Sequence, residues 1–187
     1  QTASTLAAAF GAAGWLVRRE VCDTNRILPV AGRGFEDYLA TRPGKLRTTL
    51  KRKTGKVVAR ILTRFDAEAW SQYEAIYAES WKPEEGDPAL LRAFAEMESA
   101  RGTFRMGIAR IEGEPVAAQF WTVEDGTAFI HKLAHVEDSL KASPGTLLSA
   151  ALFRHVIEVD GVKRIDFGTG NDAYKRDWMN RHEPLWR

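Results

Sequence analysis

Hydrophobic and polar positions change their spacing along this chain, and each change of period marks a new element. The first third alternates between helical and strand-like spacing. It is predicted to hold a helix at 2–13, strands at 15–21 and 25–30, helices at 35–40 and 43–54, and a strand at 57–63.

The rest of the chain carries stronger signals. Asp66 and Asp87 each precede a helical pattern, over 67–80 and 88–100, and are placed to cap it. The later elements are predicted as strands at 103–111, 115–123, 127–135 and 164–167, with helices at 144–159 and 171–180. This order of helices, an antiparallel meander and a closing β-α-β unit predicts one sheet in an α/β or α+β fold.

Four aromatic residues follow the cap at Asp66. Trp70, Tyr73 and Tyr77 fall on one face of the helix, and Trp81 comes directly after it. The spacing favours a buried core cluster over a ligand platform. An acceptor cleft lined by these rings stays open as the alternative.

Length and composition bound the class of protein. The 187 residues, 44% hydrophobic and 28% charged, suit one globular domain, and residues 1–40 are a candidate remnant of a preceding domain. No apolar run approaches the roughly 20 residues of a membrane span. The single cysteine, Cys22, excludes an internal disulfide and lies in a strand-like run. We therefore expect a buried thiol, a reducing cytoplasmic location and no metal site.

Charge is unevenly distributed. Residues 1–60 hold 12 basic and 4 acidic residues, a net +8, whereas the remainder has a net charge of −6. Eight cations lie between Arg42 and Arg60 without one carboxylate, so Arg47 and Lys51 are candidates to contact an anionic substrate. A solvated helix face is the alternative. Nucleic-acid binding is disfavoured because the remainder is acidic and no aromatics interleave the cations.

The turn Ser143-Pro144-Gly145-Thr146 stands between a predicted strand and a predicted helix. Free backbone N–H groups at a helix start attract phosphate. Because Pro144 has no N–H, the donors would be Gly145, Thr146 and Leu147, with the Ser143 hydroxyl nearby. A routine helix start is the competing interpretation.

Several segments in this order resemble the GNAT acyltransferase superfamily. The likeness is greatest to its branch of cellulose-biosynthesis-associated acetyltransferases, which is related to the peptidoglycan (Fem-type) aminoacyltransferases. It extends over about 39–178 and rests on Leu46-Arg47-Thr48-Thr49-Leu50-Lys51-Arg52-Lys53, Pro115-Val116-Ala117-Ala118-Gln119, Ser143-Pro144-Gly145-Thr146-Leu147-Leu148, Asp166-Phe167-Gly168, and Tyr174-Lys175 with Trp178.

The resemblance implies a mixed, mostly antiparallel sheet flanked by helices. It also implies acetyl-CoA or another acyl-CoA as co-substrate, and an amine or hydroxyl acceptor on a small molecule or a glycan or cell-wall precursor. Only Gly145 remains of the glycines in the family's longer phosphate loop. Other acyl donors therefore stay open.

Within that resemblance, Tyr174 is the candidate general acid for the departing thiolate. His131 or His135 is the candidate base, since the two fall on the same face of a regular strand and imidazole titrates near neutrality. A water relay without a base is the alternative. Lys175 is a candidate phosphate contact.

Asp166 and Asn171 flank the Gly168-Thr169-Gly170 turn. They are candidates to orient the substrate, or they shape that turn.

Two other functions stay open. One is aminoacyl transfer from charged tRNA to a cell-wall precursor, with the basic segment 42–60 contacting the RNA. The other is a catalytically silent binding module in polysaccharide assembly.

Overall fold

The computed structural model describes residues 2–170 and 172–187. The helices are α1 (Thr2–Ala12), α2 (Phe35–Ala40), α3 (Gly44–Lys53), α4 (Ala67–Ala78), α5 (Pro88–Ala100), α6 (Pro144–Glu158) and α7 (Ala173–Trp178), with a 3₁₀ helix at Glu137–Ala142. The strands are β1 (Val21–Pro29), β2 (Val58–Leu62), β3 (Phe104–Ile111), β4 (Glu114–Glu124), β5 (Thr127–His135), β6 (Arg164–Thr169) and β7 (Arg181–Trp186). Within the described residues, no helix combines the length and apolar character needed to cross a bilayer.

The strands form one seven-stranded sheet in the order β2-β3-β4-β5-β6-β1-β7. Every neighbouring pair is antiparallel except β5 and β6, which run parallel. The predicted mixed, mostly antiparallel sheet flanked by helices is therefore confirmed. The parallel pairing joins only Thr127–Phe129 to Arg164–Asp166. Beyond that point β5 and β6 continue without pairing, so the sheet opens between them.

Helices cover both faces of the sheet, and alternation along β4 assigns its side chains to two cores. Ala117 and Trp121 pack on the α6 face, whereas Ala118 and Phe120 pack on the α4 face. Helix α6 lies very close to the sheet at Gly107, where an added Cβ would come within 2.8 Å of Leu148 Cδ1. The start of α6 is thereby held firmly against the sheet.

On the opposite face, both predicted caps are present. Asp66 accepts a hydrogen bond from the Ala69 N–H and Asp87 accepts one from the Leu90 N–H, each at 2.9 Å. Trp70 and Tyr73 are buried against the sheet, as the core interpretation predicted.

The N-terminal strands differ from the prediction. A single strand, β1, replaces the two expected at 15–21 and 25–30, and residues 15–20 form no strand. The expectation that Cys22 is buried is also wrong. Its side chain is exposed, and its thiol contacts the Leu185 carbonyl oxygen at 3.4 Å. The first residues of β1 are exposed, including Val21 and Cys22, whereas Leu28 farther along the same strand is buried in the core.

The C-terminal helix is shorter than the predicted 171–180, because α7 ends at Trp178 and β7 follows. Strand β7 lies at the edge of the sheet, bonded only to β1. An edge position tolerates Pro184, which cannot donate a hydrogen bond to a second neighbour. Strand β7 was not predicted, because its proline and charged residues interrupt the alternation of hydrophobic and polar positions.

Candidate active site

A cavity of about 560 Å³ opens where β5 and β6 separate, and we refer to it as the β5–β6 cavity. It brings together residues from β5, the start of α6, α7 and the loop after α4. Its lining comprises Trp81, Lys82, Ile130, His131, Leu133, His135, Leu140, Ser143, Pro144, Gly145, Thr146, Phe167, Asp172, Tyr174 and Lys175.

A chain of polar side chains leads from the core to the cavity and ends at Tyr174. The Trp121 Nε1–H donates to Gln119 Oε1 at 3.0 Å, and Gln119 Nε2 donates to Ser149 Oγ at 2.8 Å. Ser149 Oγ lies 2.5 Å from the Tyr174 hydroxyl. Gln119 and Ser149 are fully buried. Both side chains are therefore satisfied inside the protein, and they fix the position of the phenol.

Burial raises the pKa of Tyr174 to about 12, although its hydrogen bond to Ser149 opposes the shift. The phenol therefore keeps its proton at neutral pH. A protonated hydroxyl at the edge of a cavity can donate to a leaving group but cannot act as a base.

The two histidines lie on opposite faces of the sheet, not on the same face as predicted. The register between β4 and β5 shifts between Phe120 and Trp121, which makes His131 an extra residue in β5. Such a bulge reverses the alternation of side chains beyond it and leaves backbone groups unpaired. The His131 ring accordingly lies 5.3 Å from Phe94 and Phe120, on the α4 face.

The His135 ring lies on the other face, against Trp81 with ring centroids 4.3 Å apart. Burial lowers the pKa of both histidines below the ordinary 6.5, so both are mainly neutral at pH 7. His131 Nε2 lies 2.8 Å from Thr122 Oγ1, whereas His135 Nδ1 has only a long 3.4 Å contact with the Val136 carbonyl. His135 is consequently the freer of the two to accept a proton.

The start of α6 differs from the predicted phosphate cradle. The Thr146 and Leu147 N–H groups both donate to the Ser143 carbonyl oxygen at 3.1 Å, because the helix begins at once after Ser143. Two of the three expected donors are therefore already bonded within the helix. Gly145 is buried, and a Cβ added there would meet His135 Cδ2 at 3.3 Å. The turn is thus closely packed on β5.

Ser143 does not cap α6 with its side chain. Instead its hydroxyl accepts a hydrogen bond from Lys53 Nζ at 2.7 Å, and the same ammonium donates to the Lys141 carbonyl oxygen. The basic helix α3 therefore reaches the edge of the cavity through Lys53.

Cations outnumber carboxylates around the β5–β6 cavity. Lys82 and Lys175 line it, against one carboxylate, Asp172, among the lining residues that the structure describes. Burial lowers the pKa of both lysines. The cavity therefore suits an anionic ligand.

A family model described as the acetyltransferase (GNAT) domain matches residues 44–176. The chain belongs to this GNAT family. The match includes every residue that lines the β5–β6 cavity, so the cavity lies within the GNAT domain.

Solved structures resemble the GNAT domain in fold at low identity. FemX aligns with a TM-score of 0.73 and 8% identity, covering 87% of this chain and 60% of its own. The C-terminal domain of a proposed lysylphosphatidylglycerol synthetase from Agrobacterium fabrum aligns with a TM-score of 0.73 and 14% identity, covering 97% and 64%. A GCN5-related N-acetyltransferase from Kribbella flavida aligns with a TM-score of 0.50 and 17% identity, covering 89% of this chain and 56% of its own.

In each of these comparisons the chain spans less than two thirds of the other protein. No curated protein matches the sequence. The structural likenesses therefore describe the fold of this GNAT domain and not its reaction.

Several predicted site residues lie away from the cavity. Arg47 is exposed on α3 and its Nε donates to the Arg42 carbonyl oxygen, and Lys51 is also exposed on α3. Leu147 packs against the core. Asn171 lies outside the described residues.

Asp166 is engaged within the sheet. Its carboxylate accepts hydrogen bonds from Asn25 Nδ2 at 2.8 Å and from the Gly168 N–H at 2.9 Å. The bond to Gly168 lies within β6 and fixes the start of the predicted Gly168-Thr169-Gly170 turn, in line with the alternative interpretation of this residue.

Three residues at the site, Lys82, Gln119 and Ser149, were missed by sequence reasoning about function. Trp81 was considered but favoured as a core residue, whereas its side chain is half-exposed and lines the cavity. Trp81 and Lys82 lie in an irregular loop, where no periodicity indicates which side chains turn inward. Ser149 was not singled out, because a small residue within a helix gives no sign of a function. Gln119 did carry a signal, because an amide inside an apolar strand must be hydrogen-bonded when it is buried.

Proposed function

We propose that this GNAT domain transfers an acyl group from an acyl-CoA thioester, with acetyl-CoA as the first candidate, to an amine acceptor. The observation that carries the proposal is the Tyr174 hydroxyl, held by buried Ser149 at a cavity beside the start of α6. A hydroxyl acceptor is a less favoured variant of the same reaction.

The cavity offers each part of the donor a suitable environment. The positive end of the α6 dipole and the ammonium groups of Lys82 and Lys175 favour the donor's phosphates. The bulge at His131 leaves backbone unpaired in β5, which we assign to the carbonyl oxygen of the thioester.

In the proposed reaction, the acceptor nitrogen attacks the acyl carbonyl carbon and loses its proton to His135, with His131 as the second candidate. The new C–N bond replaces the C–S bond, and the thiolate takes the proton of Tyr174. The products are an amide and free CoA thiol. The proton removed from the amine then passes from the imidazolium to the phenolate and restores the phenol.

Calorimetric titration with acetyl-CoA and with free CoA tests the donor assignment. We expect micromolar binding that Gly145→Leu abolishes, because even a Cβ at this position lies 3.3 Å from His135. Gly11→Leu is the matched control, since the space around that helical glycine is empty within 4 Å. The proposal fails if no binding occurs up to millimolar CoA, or if both variants bind like the parent.

A second candidate is aminoacyl transfer from charged tRNA. It is favoured by the basic helix α3, whose Lys53 reaches the cavity edge, and by the likeness to FemX in fold. Filter binding of charged tRNA at several salt concentrations tests it. Salt-sensitive binding that is weakened by Lys51→Ala, without any binding of CoA, would replace the first proposal.

CoA binding without any turnover on a wide panel of amines would instead favour a catalytically silent binding module. The cellulose association, the cytoplasmic location and the division of the chain into domains stay predictions.

A further inference from the structure

A second cavity, of about 510 Å³, shares Lys82 with the first. We refer to it as the α4 cavity. It is formed by α4, the loop 79–87 and the start of α5. Its walls combine aromatic rings with carboxylates, namely Trp70, Tyr73, Tyr77, Glu74, Glu84 and Glu85.

The polar groups of the α4 cavity are held in place by hydrogen bonds. The Trp70 Nε1–H donates to Glu74 Oε1 at 2.9 Å, and the Tyr73 hydroxyl donates to Glu85 Oε2 at 2.7 Å. Burial, followed by the hydrogen bond to Glu85, raises the pKa of Tyr73, so the phenol remains the donor. Each carboxylate keeps further lone pairs that can accept from a ligand.

The charge of this cavity is opposite to that of the β5–β6 cavity. Lys132 pairs with Glu85 from the sheet side, which leaves Glu74 and Glu84 opposed only by Lys82 among the described lining residues. Trp70 and Tyr73 are buried, so the groups that a ligand can reach are the carboxylates and the partly exposed ring of Tyr77, a combination that attracts organic cations. An anionic ligand would be repelled by the same walls.

Lys82 lines both cavities, so a ligand in the α4 cavity would meet the donor at this residue. We infer that the α4 cavity binds the acceptor, and that the acceptor is a cation with at least two amino groups. One is held as an ammonium by the carboxylates beside Tyr77, and the other extends past Lys82 to the acyl carbon. This acceptor role rests on the proposed function, whereas the binding of a cation does not.

Calorimetric titration of the full chain with cadaverine tests the inference, and 1,5-pentanediol serves as the neutral isostere. We expect cadaverine to bind and the diol not to bind. The double variant Glu74→Gln, Glu84→Gln should weaken cadaverine binding by about tenfold or more, because two charges are lost while the shapes are kept. Glu79→Gln should bind like the parent, since Glu79 is at the end of the same helix but lines a different depression.

Equal affinity for the diamine and the diol, no cadaverine binding at millimolar concentration, or unchanged binding in the double variant would overturn the cation site. A parallel titration with acetyl-CoA separates the two proposals. If cadaverine binding depends on the carboxylates but acetyl-CoA does not bind, the cation site stands and its acceptor role falls with the proposed donor.

Discussion

The β5–β6 cavity and the α4 cavity have similar volumes and share Lys82, yet they are built differently. The first cavity exists because β5 and β6 stop pairing, so the backbone of these strands and the start of α6 define it. The second is formed by side chains of one helix and an irregular loop. Sheet topology therefore supplies the place for a reaction, whereas the surrounding side chains determine which ligand binds. One cavity is basic and the other acidic, so we expect each to reject the other's ligand.

Tyr174→Phe should have the largest effect, and it should separate the reaction from the binding of ligands in the two cavities. We expect the transfer rate to fall by about 100-fold or more, because the general acid is lost. The affinities for acetyl-CoA and for cadaverine should stay within twofold of the parent, as the ring remains. Single-turnover rates together with the two calorimetric titrations measure this. A rate within threefold of the parent would remove Tyr174 from the mechanism.

Next in size is the effect of pH. Burial lowers the pKa of His135 below 6.5, so its imidazole is unprotonated at pH 7 and can accept a proton. As the pH drops below 6.5 the imidazole becomes protonated, and kcat/KM should fall. His135→Gln should remove this acid limb and reduce the rate by about tenfold.

His182→Gln is the matched control, because His182 is exposed on β7. If the limb survives His135→Gln and disappears in His131→Gln, the base is His131. If it survives in both, neither imidazole is the base.

The smallest predicted effect is also the most selective. Because Lys82 lines both cavities, Lys82→Met should weaken acetyl-CoA binding by about threefold and strengthen cadaverine binding by a similar factor. Calorimetry with both ligands measures the two signs. Lys163→Met, an exposed change away from either cavity, should alter neither. Changes of the same sign for both ligands would contradict the assignment of opposite charge preferences.

Local signals predicted much of the fold. Asp66 and Asp87 cap helices as expected, and the Asp125-Gly126 turn joins β4 to β5. The bulge at His131 was not predicted, because an inserted residue leaves no mark in a sequence with otherwise regular alternation. Strand β7 was missed since its stability comes from pairing with β1, far away along the chain.

The site was predictable where it is built from one contiguous segment. Gly145 and Tyr174 were selected from the sequence and both line the β5–β6 cavity. Trp81 and Lys82 depend on the path of a loop, and the hydrogen bond from Gln119 to Ser149 joins two elements 30 residues apart. Such contacts follow from tertiary packing, which no local pattern specifies.

The position of β1 has a consequence for how the protein is made. This strand is synthesised well before its two neighbours in the sheet, β6 and β7, which lie far along the chain. Until they arrive, β1 has unpaired edges, which makes it a point of aggregation and a natural substrate for a chaperone. Asn25 on β1 also donates a hydrogen bond to Asp166 of β6. The wall of the β5–β6 cavity beside Tyr174 therefore cannot take shape until β6 has been made and paired with β1.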